Sequence, residues 1–96
     1  MFPSAHVDTF ARDNLPPREQ WPDFLLDRPE LRYPDRMNAA VELLDATIEA
    51  GHGDRIALRT DAASCTYRQL RAQVDRICRV LVEDLALVPG NRVLLR

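Results

Sequence analysis

The sequence predicts an α/β fold that is incomplete within its 96 residues. Three patterns predict it: a β-hairpin over residues 56–67, a long amphipathic helix from Tyr67 to about Leu85, and an apolar strand at Val93–Leu95. An unbroken apolar strand is typical of a sheet interior, which requires strands on both sides and covering helices. Because the sequence supplies only one long helix before that strand, we expect a chain truncated inside a larger α/β domain.

The composition excludes several classes of protein. Hydrophobic residues make up 46% and charged residues 29%, which is ordinary for a soluble domain. The net charge of -2 and a pI of about 5.6 disfavour a nucleic-acid partner. No apolar run approaches the ~18 residues of a membrane span, and the first residues lack the pattern of a secretory signal. With two cysteines and no such signal, we expect free thiols and a cytoplasmic location.

Residues 1–36 are predicted to form a Pro-rich extended arm that packs on the parent domain. This segment holds six of the seven prolines, Pro3 among them, and prolines favour extended backbone. A solvated linker would carry few large apolar side chains, but this arm carries eight: Phe10, Leu15, Trp21, Phe24, Leu25, Leu26, Leu31 and Tyr33. We expect a short helical turn around Asp23–Asp27 and coil elsewhere. A recruitment motif for another protein is the alternative.

Residues 37–96 carry nearly all of the regular periodicity. Asn38 is a candidate N-cap, and Gly51 suits the left-handed position that ends a helix. Between them, one helical face collects four apolar residues: Ala40, Val41, Leu44 and Ile48. A loop over residues 51–54 leads to a strand at residues 56–60, a turn at residues 61–64 that lacks glycine, and a short second strand at residues 65–67.

The long helix has a clear start and a clear end. Thr66 and Gln69 form a capping-box pattern at its N-terminus. Its apolar stripe consists of Leu70, Val74, Ile77, Cys78, Leu81 and Leu85. Residues 87–91 then predict a type II turn with Pro89 and Gly90 at its two central positions.

We predict no catalytic, cofactor-binding or metal-binding residue in this chain. All 13 basic residues are arginines, which excludes a catalytic or phosphate-loop lysine within it. Cys65 and Cys78 lack the spacing and the partner ligands of a zinc site, and Cys78 is interpreted as a buried structural thiol. His6 and His52 are expected to be solvated. The two glycines around His52 follow a helix, unlike a dinucleotide fingerprint, and the dispersed carboxylates suggest no acid–base pair.

Several segments resemble the opening of the adenylate-forming superfamily, which includes acyl-CoA synthetases, luciferases and peptide-synthetase adenylation domains. Residues 66–70 match its T-Y-x-x-L pattern, and a long helix through residues 76–81 follows. Residues 85–93 resemble its L-G-x-x-P-G-D-R-V pattern, with Ala86 in place of the usual glycine and Asn91 in place of the usual aspartate. Residues 54–58 resemble its D-R-x-A-L strand.

The arm narrows the resemblance to aryl-acid–CoA ligases, such as the 2-aminobenzoate–CoA and benzoate–CoA ligases. The matching segments are residues 11–17, Trp21 with Pro22, and residues 29–34 with Asn38. The resemblance implies a fold in which this chain is the N-terminal portion of the large domain: arm, helix, hairpin, long helix and the start of a parallel strand, truncated at Arg96.

The resemblance also implies an activity for the parent protein. The parent would activate a small aromatic carboxylic acid with ATP to an acyl-adenylate and transfer it to CoA, using Mg²⁺. The family's catalytic motifs lie beyond Arg96, so no cofactor and no site residue is assigned to this chain, and the chain alone is expected to be inactive. Its expected partner is the remainder of the domain. A carrier-protein thiol as acceptor, and a small non-catalytic α/β docking module built around residues 21–33, remain alternatives.

Overall fold

A computed structural model describes residues 4–96; Met1, Phe2 and Pro3 of the predicted arm lie outside it. The chain folds as two compact units, one comprising residues up to Asp35 together with Ala86–Arg96, the other Arg36–Leu85. In chain order, the structure begins with an α-helix at Phe10–Asp13 and two 3₁₀ turns at Arg18–Gln20 and Pro29–Leu31. A helical segment over residues 39–52 leads to two strands, β1 (Ile56–Arg59) and β2 (Ser64–Thr66). The long helix follows at Tyr67–Arg79 and continues as a π-helical turn at Val80–Asp84.

The arm contains coil and short turns. The helical turn predicted around Asp23–Asp27 is wrong, because residues 22–27 have no helical structure and the turns lie on either side, at Arg18–Gln20 and Pro29–Leu31. The first turn of a helix fixes several residues for a single hydrogen bond, which a short segment between two prolines cannot offset. Arg28, immediately before Pro29, is extended at φ −68° and ψ 139°, as residues before proline usually are.

The second unit begins with the predicted helix. Asn38 Oδ1 accepts hydrogen bonds from the backbone N–H groups of Ala40 (3.0 Å) and Val41 (3.3 Å), which confirms the N-cap. The segment contains π-helical turns at Val41–Asp45 and Ile48–His52. Its regular backbone is interrupted at Gly51, where φ is +87°, as the sequence predicts.

The hairpin is confirmed, with β1 and β2 antiparallel and Arg59 opposite Ser64. Its turn needs no glycine, because Thr60 closes it. The Thr60 N–H donates to the carbonyl of Ala63 at 2.8 Å, and the Thr60 hydroxyl accepts from the Ala63 N–H at 3.1 Å. A two-stranded sheet with helices is compatible with the predicted α/β class.

Both halves of the predicted capping box start the long helix. The Thr66 hydroxyl accepts from the Gln69 N–H at 3.3 Å, and Gln69 Oε1 accepts from the Thr66 N–H at 2.9 Å. The helix continues through the π-helical turn and caps at Leu85, close to the predicted end.

The predicted final strand does not form. Residues 92–96 are not paired with any strand of residues 4–96, and Leu94 and Leu95 are 92% and 89% exposed. A strand is held by hydrogen bonds to a neighbouring strand, and the described chain offers this segment no such neighbour.

A buried apolar core is absent from the residues that the structure describes. On the long-helix stripe, Leu70, Val74 and Leu81 are half-buried. Ile77 and Leu85 are each 59% exposed, so part of the stripe faces solvent.

The end of the long helix places a strained residue where the resembled pattern has glycine. Ala86 has φ +51°, a left-handed conformation that costs a residue with a Cβ about 1–2 kcal/mol. The turn that follows is closed by the Asn91 N–H, which donates to the Val88 carbonyl at 3.1 Å, and Gly90 has φ +96°. The positive φ at Gly90 agrees with the predicted type II turn.

We therefore expect Ala86→Gly to relieve strain and to raise the free energy of unfolding by up to about 1 kcal/mol, after allowance for the larger entropy of glycine in the unfolded chain. The matched control is Ala72→Gly inside the long helix, which should lower that free energy by about 1 kcal/mol. Urea unfolding followed by the helical circular dichroism signal measures both. Equal destabilisation by the two substitutions would contradict the assignment of strain to Ala86.

Candidate functional site

Within residues 4–96, the cysteines and histidines do not converge on one centre. Cys65 is half-buried, and Cys78 is exposed as a free thiol, so its interpretation as a buried thiol is wrong for residues 4–96, which leave this part of the stripe uncovered. His6 is exposed, as predicted, and His52 is half-buried. Among residues 4–96, no group of three or more His, Cys, Asp or Glu side chains could hold a metal ion.

A candidate membrane span is also missing from the described part of the chain. None of its helices combines the length and the apolar character needed to cross a bilayer.

The best-connected polar cluster joins residues 7–10 to residues 88–92, within one unit. In its backbone part, one carbonyl accepts hydrogen bonds from two N–H groups. The Pro89 carbonyl accepts from the N–H groups of Val7 at 2.8 Å and of Asp8 at 3.0 Å. Two segments far apart in sequence are thereby fastened at the turn that follows the long helix.

The side chain of Asp8 is the centre of this cluster. Its Oδ1 accepts from the Phe10 N–H at 3.0 Å, and its Oδ2 accepts from Asn91 Nδ2 at 2.8 Å. Asn91 Oδ1 in turn accepts from the Val88 N–H at 2.9 Å. Both polar ends of the Asn91 amide are therefore engaged, which fixes its orientation.

Arg92 covers the cluster from outside. Its Nη1 lies 3.9 Å from Asp8 Oδ2, and its guanidinium carbon lies 4.0 Å from the centre of the Phe10 ring. The geometry combines an ion pair with a cation–π contact. Together these contacts position residues 7–10 against residues 88–92.

The cluster lowers the pKa of the Asp8 carboxyl below its ordinary value of 3.8. The backbone hydrogen bond from Phe10 contributes most, followed by the hydrogen bond from Asn91. The positive charges of Arg92 and His6 act in the same direction, and partial desolvation opposes them.

A second cluster joins the hairpin to the long helix. Gly53 is buried, and its carbonyl accepts from the Arg68 N–H at 3.0 Å. The Arg68 side chain lies over Gly53 and pairs with Asp54 at 3.1 Å, so a Cβ at position 53 would lie 2.8 Å from Arg68 Nε. Arg71 pairs with Asp45 at 3.7 Å. These are structural contacts at a surface where ion pairs contribute little.

The arm has a small apolar groove of about 230 Å³ around Trp21 and Phe24. The two rings meet edge to face with centroids 6.2 Å apart. Trp21 Nε1 donates to the Pro16 carbonyl at 2.8 Å, and the Arg18 guanidinium lies 5.7 Å from the Trp21 ring centre. The arm therefore has local structure around its single tryptophan.

Sequence reasoning missed the Asp8 cluster. Asp8 and Asn91 are 83 residues apart, and neither belongs to a motif that marks a contact. A weak signal was present in Asn91, which departs from the aspartate of the resembled pattern.

Chains similar to this one are ligases that act with coenzyme A. The similarity confirms the resemblance to adenylate-forming ligases and supports the assignment of this chain as a segment of such a ligase. The benzoate–CoA ligase of Thauera aromatica is 38% identical over 66 residues, which cover 69% of this chain and 12% of that ligase. The acetyl-coenzyme A synthetase of Mycobacterium tuberculosis H37Rv is 40% identical over 63 residues, covering 59% of this chain and 10% of the synthetase.

A third relative, the acetyl-coenzyme A synthetase of Mycolicibacterium smegmatis, is 39% identical over 64 residues, which cover 60% of this chain and 7% of the synthetase. The chain thus spans about a tenth of the length of the curated relatives that it matches. No family model matches the chain, and no solved structure matches it.

The lowered pKa of Asp8 predicts an acid-labile cluster. Because the carboxyl binds protons less readily in the folded state than in the unfolded state, its contribution to stability is present above its ordinary pKa of 3.8 and is lost as the pH falls through the lower, folded value. NMR titration of the Asp8 carboxyl carbon should give a midpoint below the ordinary value of 3.8. A midpoint at or above that value would contradict the prediction.

Proposed function

We propose that this chain is the N-terminal portion of the large domain of an AMP-forming acid–CoA ligase. In its relatives, which are CoA ligases, the matched segment covers only about a tenth of the length, which supports the proposal. The observation that carries it is the lack of a buried apolar side chain in residues 4–96, together with an exposed stripe on the long helix and exposed Leu94 and Leu95. Such a surface requires a cover, which the remainder of the ligase would supply.

The same surface supports the finer arrangement that the resemblance implies. In that arrangement residues 93–95 become an interior strand of a parallel sheet, whose neighbouring strands lie in the remainder of the enzyme. The arm packs on the outside of the same domain. Both segments have the required character, since Leu94 is 92% exposed and the arm leaves Leu25 81% exposed.

The proposed reaction joins a carboxylic acid to ATP and transfers the resulting acyl group from AMP to CoA. In this proposal the residues that hold the nucleotide, Mg²⁺ and CoA lie in the remainder of the enzyme. The chain has no lysine, and residues 4–96 hold no cluster of metal-binding side chains. The part that this segment plays is therefore structural: it supplies a helix, a hairpin and an arm around the machinery of the remainder.

We propose an aromatic acid as the substrate and the cytoplasm as the location. The arm resembles that of aryl-acid–CoA ligases, and the alignment with the benzoate–CoA ligase extends over 69% of the chain, compared with 59% for the M. tuberculosis acetyl-coenzyme A synthetase. Acetate is the competing substrate, supported by the comparable identity of the acetyl-coenzyme A synthetases.

The assay for this proposal is ATP–pyrophosphate exchange, with benzoate, 2-aminobenzoate or acetate as the acid. We expect no exchange by the 96-residue chain. The product of the reading frame that continues past the Arg96 codon should exchange with an aromatic acid in preference to acetate. Turnover by the 96-residue chain, or a stop codon directly after Arg96, would refute the ligase-segment proposal. Preference for acetate would overturn the aromatic substrate alone.

A non-catalytic docking module is the other candidate, and melting behaviour separates the two. An independent module melts cooperatively as a monomer. A ligase segment with an uncovered stripe should melt broadly and scatter light as it associates. Circular dichroism melting with simultaneous light scattering measures both. A sharp, concentration-independent transition without scattering would favour the module.

A further inference from the structure

We propose that residues 7–10 and 88–92 form a latch, a conformational device that fastens the start of the Pro-rich arm to the turn after the long helix. Its specificity comes from a carboxylate at position 8 that faces an amide at position 91. The latch lies inside one unit of the fold, so the inference does not depend on the proposed function.

The backbone of the turn is shaped to receive the arm. The Pro89 carbonyl accepts from two successive N–H groups, those of Val7 and Asp8. Gly90 has φ +96°, and a Cβ at this position would collide with the Asp8 carbonyl oxygen and lie 2.9 Å from His6 Cβ. The arm therefore approaches the turn closely enough to exclude any side chain at position 90.

The side chains then specify which segment docks. The Val88 N–H donates to Asn91 Oδ1, which turns Asn91 Nδ2 toward Asp8. The Phe10 N–H occupies Asp8 Oδ1, which leaves Oδ2 to accept from Asn91. Each of these three hydrogen bonds pairs one donor with one acceptor, and turning the Asn91 amide over would set its NH₂ group against the Val88 N–H.

Single substitutions break that arrangement in opposite ways. Asn91→Asp would set a carboxylate oxygen against Asp8 Oδ2, and two negative charges would repel. Asp8→Asn would set one amide NH₂ group against another, unless one of the two amides turned over and gave up the hydrogen bond from the Phe10 N–H or from the Val88 N–H. Both variants leave Arg92 and Phe10 in place.

The double variant Asp8→Asn/Asn91→Asp restores the match with the roles reversed. The new amide at position 8 would still accept from the Phe10 N–H through its oxygen, and it would donate its NH₂ group to the new carboxylate at position 91. That carboxylate would still accept from the Val88 N–H through its other oxygen. If the two side chains only filled space, exchanging them would not restore the protection of the backbone amides. If their hydrogen-bond complementarity holds the latch, the double variant should regain that protection.

Backbone amide hydrogen exchange of the full 96-residue chain, measured by NMR, tests the latch. The reporters are the Val7 and Asp8 amides, which donate to Pro89. We expect each single variant to accelerate their exchange about tenfold and the double variant to return it to within about threefold of the original chain. Rates are compared after correction for the intrinsic exchange of each sequence.

Two controls keep the outcome decisive. The Tyr67 and Arg68 amides, which donate to Arg55 and Gly53 in the other unit, should exchange unchanged in all variants, and their rates correct for any general loosening. Asp23→Asn makes the same chemical change at an exposed arm position and should leave Val7 and Asp8 unaffected. Three results would each overturn the latch. The first is a lack of protection of the Val7 and Asp8 amides in the original chain, and the second is single variants whose amides exchange at the original rates. The third is a double variant whose amides exchange as fast as those of the single variants.

Discussion

Exposure of apolar surface is the constraint on which the rest of this structure depends. A Leu, Ile or Val side chain contributes about 1.5–3 kcal/mol when it is fully buried, and residues 4–96 bury none completely. The backbone nevertheless forms a capped helix, a hairpin and two defined turns. These elements are therefore held by local hydrogen bonds and partial packing, and their apolar faces are left for other surfaces to cover.

The charges of the long helix follow from the same dependence. Arg68 and Arg71 lie in its first turns and Glu83 and Asp84 at its end, which opposes the helix dipole. The unfavourable positive charges at the start of the helix are partly compensated, because Asp54 lies beside Arg68 and Asp45 lies beside Arg71. Because such exposed pairs contribute little, tertiary packing remains the main stabilising influence available to this helix.

Features that depend on neighbouring residues were predictable from the sequence. The Asn38 cap, the Thr66 capping box and the left-handed Gly51 each involve groups within a few positions of one another, so the sequence pattern carries the interaction. The predictions of a final strand and of a buried Cys78 were wrong, because both features need neighbouring surfaces that residues 4–96 do not supply. The Asp8 cluster could not be predicted, since a pairing across 83 positions leaves no periodic trace.

The sequence contains a single tryptophan, and its place in the arm has a practical consequence. The Trp21 indole is half-buried, hydrogen-bonded to the Pro16 carbonyl and close to the Arg18 guanidinium. Emission selected at long excitation wavelengths therefore comes from one known place, without contribution from the two tyrosines. The molecule thus carries an intrinsic fluorophore, and the wavelength of its emission maximum reports on the polarity around the Pro-rich segment without any added dye.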